Sequence, residues 1–417
     1  MKILIVVAYF PPEIGSAAHV YYDLAKAFVK KGHEVHVLTS YPREFNLNKT
    51  DQDKEFPFEE IMDDINVHRV KHFAVRDLEI FRGLEHFYLP YQYYSHYKKL
   101  GIKCDVCLIY IPPLPFYYFA KLLKRYDGTP SVLNYQDFHP QELMDVNYGG
   151  INKNPIMIKL LEYIERKSYE NADHITVLSE GGIKYVADKG ADPKKITHIF
   201  NGTNLSDIDD LKAKKDFKIK EGIEDKLLIS YAGILSPFQG IDNILDVAKE
   251  LNEHEDIIFY IAGDGMARED LENRIKTENI SNLKLLPFQP REEYYNIVNS
   301  SDISIVSLDK RMKAPCLPGK LTNLLAMEQP VVGLISNEIE TANFINKANC
   351  GIVIDPGDIQ GFKDAILKLK NNSELRTALG TNGRRFFEKN MDLEKITLIY
   401  ERIFLSEFSN NLENKNG

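Results

Sequence analysis

The feature that most restricts the fold is a regular alternation of short, apolar, β-branched segments with longer amphipathic ones. Parallel strands are buried on both faces and are joined by helical crossovers, so this alternation predicts βαβ units and an α/β fold. The predicted strands lie at 2–8, 34–39, 66–72, 105–111, 131–135, 174–178 and 196–200, then at 227–233, 257–262, 283–286, 303–306, 330–334 and 351–354.

A polar stretch at 205–225, dense in Asp and Lys, interrupts the strand series once. We interpret it as a linker between two doubly wound domains, residues 1–205 and 206–390. A last helical segment at 391–417 is expected to pack back on the first domain. Such sheets bind ligands at the carboxyl ends of their strands, so we expect the two domains to face a shared cleft.

Composition excludes several functional classes. The 417 residues include 61 acidic and 52 basic ones, and this acidic balance disfavours binding to nucleic acid. Four cysteines fit a reducing, cytoplasmic compartment, and Cys104 and Cys107 fall in a strand pattern that points them to opposite faces. The longest uncharged stretch, 106–120, is shorter than the about 20 residues of a spanning helix. No signal peptide or membrane span is expected.

Three glycine-containing loops follow predicted strands. They are Gly15-Ser16 before the first helix, Gly233 with Gln239-Gly240 at the start of the second domain, and Gly263-Asp-Gly265. Helix N-termini attract anions, and glycine lets a backbone approach closely. The loops favour a phosphate site, although any tight strand-to-helix turn uses the same residues.

In their order along the chain, the motifs resemble glycosyltransferase family 4, whose members have the GT-B fold of two Rossmann-like domains. The resemblance spans nearly the whole chain and implies that the first domain binds the acceptor and the second binds a nucleotide-sugar donor. The matching motifs are Phe10-Pro-Pro-Glu-Ile-Gly-Ser-Ala17 with Gly32-His-Glu-Val35, Ala172-Asp-His-Ile-Thr-Val-Leu-Ser179, Phe200-Asn-Gly202, Tyr231-Ala-Gly233, Ala262-Gly-Asp-Gly265, Ser301-Asp-Ile-Ser304, and Ala326-Met327 with Pro330-Val-Val332. The implied donor-binding residues are Ser16, Gly233, Gln239, Gly240, Gly263, Gly265, Gly319 and Asn323.

The donor loop departs from the family pattern in its charge. Many members have an Arg after the glycine that corresponds to Gly233 and a Lys before the one that corresponds to Gly240. Here these positions hold Ile234 and Gln239. The chain has therefore lost the basic pair that holds the donor diphosphate in those members.

A second departure points to a replacement. The positions of the family's paired glutamates hold Pro315 and Asn323, and Pro318-Gly319-Lys320 resembles the Pro-x-Lys variant of bacterial and archaeal surface-polysaccharide transferases. A departing diphosphate accumulates negative charge, which a cation stabilises. Lys320 is therefore the candidate catalytic cation, and the alternative is a solvated helix residue. Asn323, one turn later, is positioned for a ribose hydroxyl.

The resemblance places further catalytic groups in the first domain. Asp137 ends a predicted strand and matches the branch's Asp-x-x-Pro pattern, which places it near the transferred sugar. His139 is the candidate contact to the sugar or acceptor, and Gly15 is the catalytic backbone position of the first loop. The alternative for Asp137 is a structural role as the cap of the following turn.

The segment 81–103 concentrates aromatic residues and the cations Arg82, Lys98, Lys99 and Lys103 in a chain that is acidic elsewhere. Aromatic rings and cations suit the headgroup region of a membrane. We expect peripheral docking on the inner face of the plasma membrane. The alternative is that these rings belong to the core of the domain.

The leading hypothesis is a metal-independent glycosyltransferase of the hexosyl or N-acetylhexosaminyl type, retaining by family resemblance. It uses a UDP-linked donor and a lipid-linked or glycan acceptor. No cofactor or metal is expected, because neither domain has the Asp-x-Asp spacing that holds a divalent cation in other transferases. Two alternatives stay open: a non-catalytic subunit that binds nucleotide sugars, and a nucleotide-sugar epimerase of the same fold.

Overall fold

The alternating pattern produces two separate sheets in two structural units. The structure is a computed structural model that describes residues 1–13, 15–43, 47, 54–71, 85–212 and 215–416. Unit 1 comprises Met1–Gly202 together with Leu393–Gly417, and unit 2 comprises Thr203–Asp392.

Each predicted strand is present. The strands are β1 (Lys2–Val6), β2 (Glu34–Ser40), β3 (Glu59–Met62), β4 (Ile65–Val70), β5 (Val106–Ile111), β6 (Ser131–Tyr135), β7 (His174–Val177), β8 (Ile196–His198), β9 (Leu227–Ala232), β10 (Ile257–Ala262), β11 (Leu283–Leu286), β12 (Ile303–Ser307), β13 (Val331–Leu334) and β14 (Gly351–Ile354). The pattern missed β3, an antiparallel edge strand that buries neither face.

The helices are α1 (Ser16–Lys30), α2 (Glu85–Leu100), α3 (Tyr117–Asp127), α4 (Gln141–Asp145), α5 (Pro155–Asn171), α6 (Glu180–Asp188), α7 (Leu205–Lys212), α8 (Phe217–Glu221), α9 (Asp242–Glu250), α10 (Arg268–Thr277), α11 (Arg291–Ser300), α12 (Lys320–Ala326), α13 (Glu340–Ala348), α14 (Ile359–Lys370), α15 (Ser373–Asn390) and α16 (Leu393–Asn416). They cover the sheets with their apolar faces; in α9, for example, Ile244, Leu245 and Ala248 are buried.

Both sheets have the doubly wound strand order. Unit 2 has the order β11-β10-β9-β12-β13-β14, all parallel, and unit 1 has β3-β4-β2-β1-β5-β6-β7-β8, parallel apart from β3. The order reverses between β9 and β12 in unit 2 and between β1 and β5 in unit 1. Ligands of such sheets bind outside the carboxyl ends of the strands at this reversal. The loops after β9 and β12 are therefore neighbours at the expected position.

The polar stretch at 205–225 is not an extended linker. Apart from residues 213–214, which lie outside the described part, it contains α7 and α8 of unit 2. Ile208 and Phe217 are buried, and Lys218 Nζ lies 2.6 Å from the Asp302 carboxylate. The interpretation of this stretch as a linker was wrong because a single buried apolar residue is enough to attach each short helix to unit 2. One apolar residue is not recognisable as a helix signal among so many charged ones.

The C-terminal helix α16 belongs to unit 1. Its residues Tyr400 and Phe404 pack on Phe28 of α1, with ring centroids 6.2 and 5.5 Å apart. Asn134 Nδ2 on β6 also donates a hydrogen bond of 3.1 Å to the Tyr400 hydroxyl. The helix thus completes the core of unit 1 on the face of the sheet that α1 covers.

The aromatic segment 81–103 is divided between core and surface. Residues 81–84 lie outside the described part, and most of the rest forms α2. Tyr93 and Tyr97 are buried, and Lys98 Nζ pairs with Asp127 at 2.8 Å. Tyr88 and Tyr91 are exposed. The core alternative is therefore correct for Tyr93 and Tyr97, while other rings of the helix remain at the surface.

Two further sequence inferences concern cysteines and membrane spans. All four cysteines are buried and free, and burial raises the pKa of the Cys104 thiol to about 12, which suits a structural residue. Across the described ranges, no helix has both the length and the apolar composition needed to cross a bilayer.

Candidate active site

The loop after β9 lies directly against the loop after β10. The Leu235 N–H donates to the Asp264 carbonyl at 2.9 Å. A side chain at Gly263 would overlap the carbonyl of Gly233, and one at Gly265 would overlap that of Leu235. These glycines are therefore required for the close backbone approach, whatever else they bind. Contacts between these glycines and a nucleotide-sugar donor remain a prediction.

Lys320 reaches the same loop from the neighbouring strand. It is the first residue of α12, follows Gly319 after the long β12 loop, and extends toward the end of β9, with which β12 pairs. A Cβ at Gly233 would lie 2.7 Å from Lys320 Nζ. The ammonium also lies 3.7 Å from the centroid of the Tyr231 ring. The predicted replacement of the lost basic pair thus lies at the loop that lost it.

Among the residues that the structure describes, the Lys320 ammonium is unpaired. Its Nζ is buried, and no described residue accepts a hydrogen bond from it. Burial lowers the pKa of Lys320 to about 7. A desolvated cation is costly, and the face of an aromatic ring recovers about 0.5–2 kcal/mol of this cost. An anion bound beside Nζ would supply the missing charge, so the arrangement suits the binding of a phosphate.

Two arginines near these loops are already paired within the protein. Arg268 donates to the carbonyls of Gly263 and Leu286 at 2.7 and 3.0 Å and also pairs with Glu272. Arg311 pairs with Asp309 at 2.8 Å. Lys320 therefore differs from both arginines, whose charges are satisfied within the protein.

Tyr231 is fixed by the residues that follow it. Its hydroxyl lies 3.1 Å from the Ile234 carbonyl oxygen and 3.3 Å from Gln239 Oε1, and it donates its one proton to either acceptor. Gly240 has a φ of +55°, and a Cβ there would lie 3.2 Å from Asp309 Cα. Gln239, which is predicted to contact the nucleotide-sugar donor, therefore also orients the Tyr231 ring beneath the Lys320 ammonium.

Asn323 lies one turn after Lys320 on α12, and its side chain forms a hydrogen bond with Tyr294 of α11. Burial raises the pKa of Tyr294, and a hydrogen bond with the Asn323 side chain opposes that shift. The predicted bond from Asn323 to a ribose hydroxyl remains a prediction, and Tyr294 is its structural neighbour.

The loop after β6 in unit 1 contains the other predicted catalytic group. Burial raises the pKa of Asp137 and, together with the Asp137 charge, that of Glu142. Glu142 Oε1 accepts the Phe138 N–H at 2.9 Å, and its Oε2 lies 4.0 Å from His139 Nε2. Burial and nearby His86 lower the pKa of His139 to about 4. Near neutral pH, this loop and the start of α4 therefore offer a neutral imidazole and two carboxyl groups whose pKa is raised.

Gly15 is the N-cap of α1, at the carboxyl end of β1. Its φ is +152°, and its missing side chain leaves open space, since no atom of the described residues other than its chain neighbours lies within 4 Å of a Cβ placed there. The side chain of Ser16 is outside the described part. Because β1, β5 and β6 are consecutive and parallel in the sheet, Gly15 and Asp137 lie at the same edge of unit 1.

The site contains residues that sequence reasoning missed. The motif at 231–233 predicts no role for Tyr231, and Glu142 lies outside every motif of the resemblance. The signals that would have found them are the position of Tyr231 two residues before Gly233 and a second acid five residues after Asp137. Within the described ranges, no three His, Cys, Asp or Glu side chains are grouped closely enough to hold a metal ion.

The two halves of the chain match two models of the same kind of enzyme. Residues 15–207 match the model for Glycosyltransferase Family 4, and residues 213–386 match that for Glycosyl transferases group 1. The chain belongs to glycosyltransferase family 4. This confirms the resemblance found in its motifs, and the protein is a glycosyltransferase.

A relative that matches over nearly the whole length of both chains supports the same assignment. This family 4 glycosyltransferase is 21% identical over 411 residues to the putative colanic acid biosynthesis glycosyl transferase of Escherichia coli K12, covering 95% of this chain and 98% of that one.

Solved structures confirm the GT-B fold class. Sucrose-phosphate synthase from Thermosynechococcus elongatus is 15% identical with a TM-score of 0.77, over 98% of this chain and 99% of that one. HepE from Anabaena, in complex with UDP and glucose, is 14% identical with a TM-score of 0.71, over 97% and 100%.

The unpaired Lys320 charge predicts an unusual effect on stability. Because the folded pKa lies below the ordinary 10.5, the charge destabilises the free enzyme fully below pH 7 and progressively less from pH 7 to 10.5. Lys320→Met should therefore stabilise the ligand-free enzyme at pH 6 by at least about 1 kcal/mol, or about 2–4 °C. The gain should shrink as the pH rises. Thermal unfolding at several pH values measures it.

Exposed Lys276 on α10 provides the matched control, since Lys276→Met removes the same charge from the same unit. Equal melting curves for the two variants at every pH would show that Lys320 is an ordinary solvated lysine.

Proposed function

We propose that the enzyme transfers a hexosyl or N-acetylhexosaminyl group from a UDP-sugar to a lipid-linked or glycan acceptor in the synthesis of surface polysaccharide or glycoconjugate. The buried, unpaired ammonium of Lys320 at the Gly233 loop carries the proposal. Two comparisons support it: the Escherichia coli relative is named for colanic acid biosynthesis, and HepE was solved with UDP and glucose. The acceptor places the reaction at the inner face of the plasma membrane.

Unit 2 is proposed to bind the donor. Lys320 contacts the diphosphate, while Asn323 contacts the ribose and the glycine loops at Gly233 and Gly263 allow the nucleotide to approach the backbone. The diphosphate also favours the protonated form of Lys320, because an adjacent anion raises the pKa of an ammonium. Donor binding and charge formation on Lys320 are thereby linked.

The same cation is proposed to act on the leaving group. When the bond between the sugar and the diphosphate breaks, negative charge builds on the departing oxygen, and an ammonium already aimed at the phosphates stabilises it. This positive charge takes the place of a metal ion, so the reaction is proposed to need no divalent cation or cofactor.

Unit 1 is proposed to bind the acceptor and to contact the transferred sugar. Asp137 accepts a hydrogen bond from a sugar hydroxyl or offsets positive charge at the anomeric carbon. His139, neutral near pH 7 because burial lowers its pKa to about 4, serves as a hydrogen-bonding group rather than a cation. Gly15 gives the sugar access to the backbone of the β1–α1 loop. Retention of configuration follows from the family resemblance.

Donor hydrolysis tests the proposal without knowledge of the acceptor. A panel of UDP-hexoses and UDP-N-acetylhexosamines, assayed for released UDP, should include a donor that is slowly hydrolysed, and excess EDTA should leave the rate unchanged. Asp137→Asn should lower this rate, while Asp145→Asn, at the C-terminal end of α4, should not.

Tight binding of UDP-sugars with no hydrolysis and no transfer to any glycan would indicate the non-catalytic binding subunit. Loss of activity in EDTA that Mg²⁺ restores would refute the metal-independent mechanism.

Variants at the donor loop test the role of Lys320. Lys320→Met should lower UDP affinity at pH 6 at least about tenfold, or about 1.4 kcal/mol, and should lower turnover about 10²–10³-fold. Gly233→Ala places a methyl group 2.7 Å from Nζ and should displace the ammonium, with a similar loss of UDP affinity. Titration calorimetry measures both.

Gly222→Ala is the control for Gly233→Ala. Gly222 also has a positive φ, of +65°, but no described atom beyond its chain neighbours lies within 4 Å of its Cβ position, so only the backbone cost is shared. If Lys320→Met and Gly233→Ala bind UDP as the parent does, the donor site lies elsewhere.

A further inference from the structure

A cavity of about 370 Å³ opens between helix α2 and strands β3 and β4 of unit 1. Pockets for small molecules measure about 300–1,000 Å³, so this one has room for a single sugar residue. It is lined by Arg69 and Val70, the last two residues of β4. Because β4 runs parallel to β2, and β2 to β1, the cavity lies at the same edge of the sheet as Gly15. Ligands of such sheets bind at this edge.

Arg69 connects the wall of the cavity to the loop that contains Gly15. Its side chain is fully buried, and its Nη2 donates to the Pro11 carbonyl of that loop at 2.9 Å. Its Nη1 donates to the Pro57 carbonyl at 3.1 Å, and Glu60 pairs with the same guanidinium. The charge of Arg69 is therefore compensated inside the protein, and its role is to hold the residues around the cavity in place.

Two lysines supply positive charge to the cavity. Lys71 directly follows β4 and Lys99 lies in the last turn of α2; both are exposed, and neither forms an ion pair with a described residue. Burial, with a smaller contribution from Lys99, lowers the pKa of His96 in the wall, although nearby Glu59 opposes this shift. That imidazole is therefore neutral near pH 7. No acidic residue of the described part lines the cavity itself, so a ligand meets only the two lysine charges.

Exposed aromatic rings and uncharged polar groups form much of the remaining lining. Phe58, Tyr88 and Tyr91 are 46%, 59% and 48% exposed. Gln92 and Ser95 lie on the same face of α2, between the tyrosines and its last turn. The faces of aromatic rings pack on the apolar C–H faces of sugar rings, while amide and hydroxyl groups hydrogen-bond to sugar hydroxyls. A lining of this composition suits a carbohydrate.

We propose that the cavity binds an acidic sugar residue of the acceptor, one that carries a carboxylate. The inference rests on the proposed binding of a glycan acceptor by unit 1 and adds the charge class of that acceptor. The rings and polar groups recognise the sugar, and Lys71 and Lys99 recognise its carboxylate. A bare phosphate ion leaves the rings and most of the volume unused. Because the net charge of the chain is −9, an acidic glycan needs such a local excess of cations.

Binding of matched sugars to the full chain tests the proposal. The methyl glycosides of glucuronic, galacturonic and mannuronic acid are each compared with the glycoside of the corresponding neutral hexose, by NMR titration without nucleotide. At least one acid should bind about tenfold more tightly than its neutral partner, since an exposed ion pair contributes roughly threefold and two lysines are available. Added salt should reduce this preference.

Variants of the lining separate recognition of the charge from recognition of the sugar. Lys71→Gln with Lys99→Gln should lower the affinity for the preferred acid about tenfold and leave that for the neutral glycoside unchanged. Tyr88→Ala with Tyr91→Ala should lower both affinities, because the rings contact the sugar whatever its charge.

Lys103→Gln with Lys121→Gln is the matched control. It removes two exposed lysines of unit 1 that do not line the cavity, and it should bind both glycosides as the parent does. Unchanged melting temperature and UDP affinity of each variant show that it is folded.

Three results would overturn the proposal. They are a parent that binds no acid more tightly than its neutral partner, a Lys71 and Lys99 double variant that keeps the preference, and inorganic phosphate that displaces the preferred acid at equal concentration. The last result would identify a general anion site. Donor hydrolysis is measured separately, so an enzyme that hydrolyses a UDP-sugar without preferring acidic sugars loses this inference and keeps the proposed function.

Discussion

A single buried ammonium, that of Lys320, sets the requirements that the proposed donor site must meet. Lys320 Nζ occupies the space that the missing side chain of Gly233 leaves free, above the ring of Tyr231 and without an acceptor among the described residues. The strand order of unit 2 makes this possible, because β9 and β12 are neighbours and their following loops emerge at the same edge. A side chain at position 233 would exclude the lysine, and a nearby carboxylate would neutralise it. The site is therefore prepared for an external anion.

In both units, burial shifts the pKa of titratable side chains toward their neutral forms. Unit 2 presents an unpaired cation, whereas unit 1 presents the buried carboxyl groups of Asp137 and Glu142 with a neutral His139. A transferred sugar develops positive character at its anomeric carbon while its leaving group develops negative charge. In the proposed reaction, Lys320 would stabilise the charge of the leaving group, and burial sets the protonation of this lysine.

The sequence predicted the parts of the structure that depend on local pattern. Strands buried on both faces are continuous apolar runs, so the two sheets could be predicted. The loss of the basic pair beside Gly233 predicted that another cation, Lys320, takes its place. Edge strand β3 lacks such a run. The roles of Tyr231 and Glu142 depend on which side chains meet after folding, and no spacing in the sequence encodes that.

The protonation of Lys320 itself tests the central claim most directly. Proton–nitrogen NMR of the lysine ammonium groups, with the Lys320 signal assigned by its absence from Lys320→Arg, gives the pKa of this group in the free enzyme and with saturating UDP. We expect a pKa near 7 in the free enzyme and a marked rise when UDP binds, since the diphosphate supplies the missing counter-charge. A pKa near the ordinary value of a solvated lysine that UDP does not change would contradict the account.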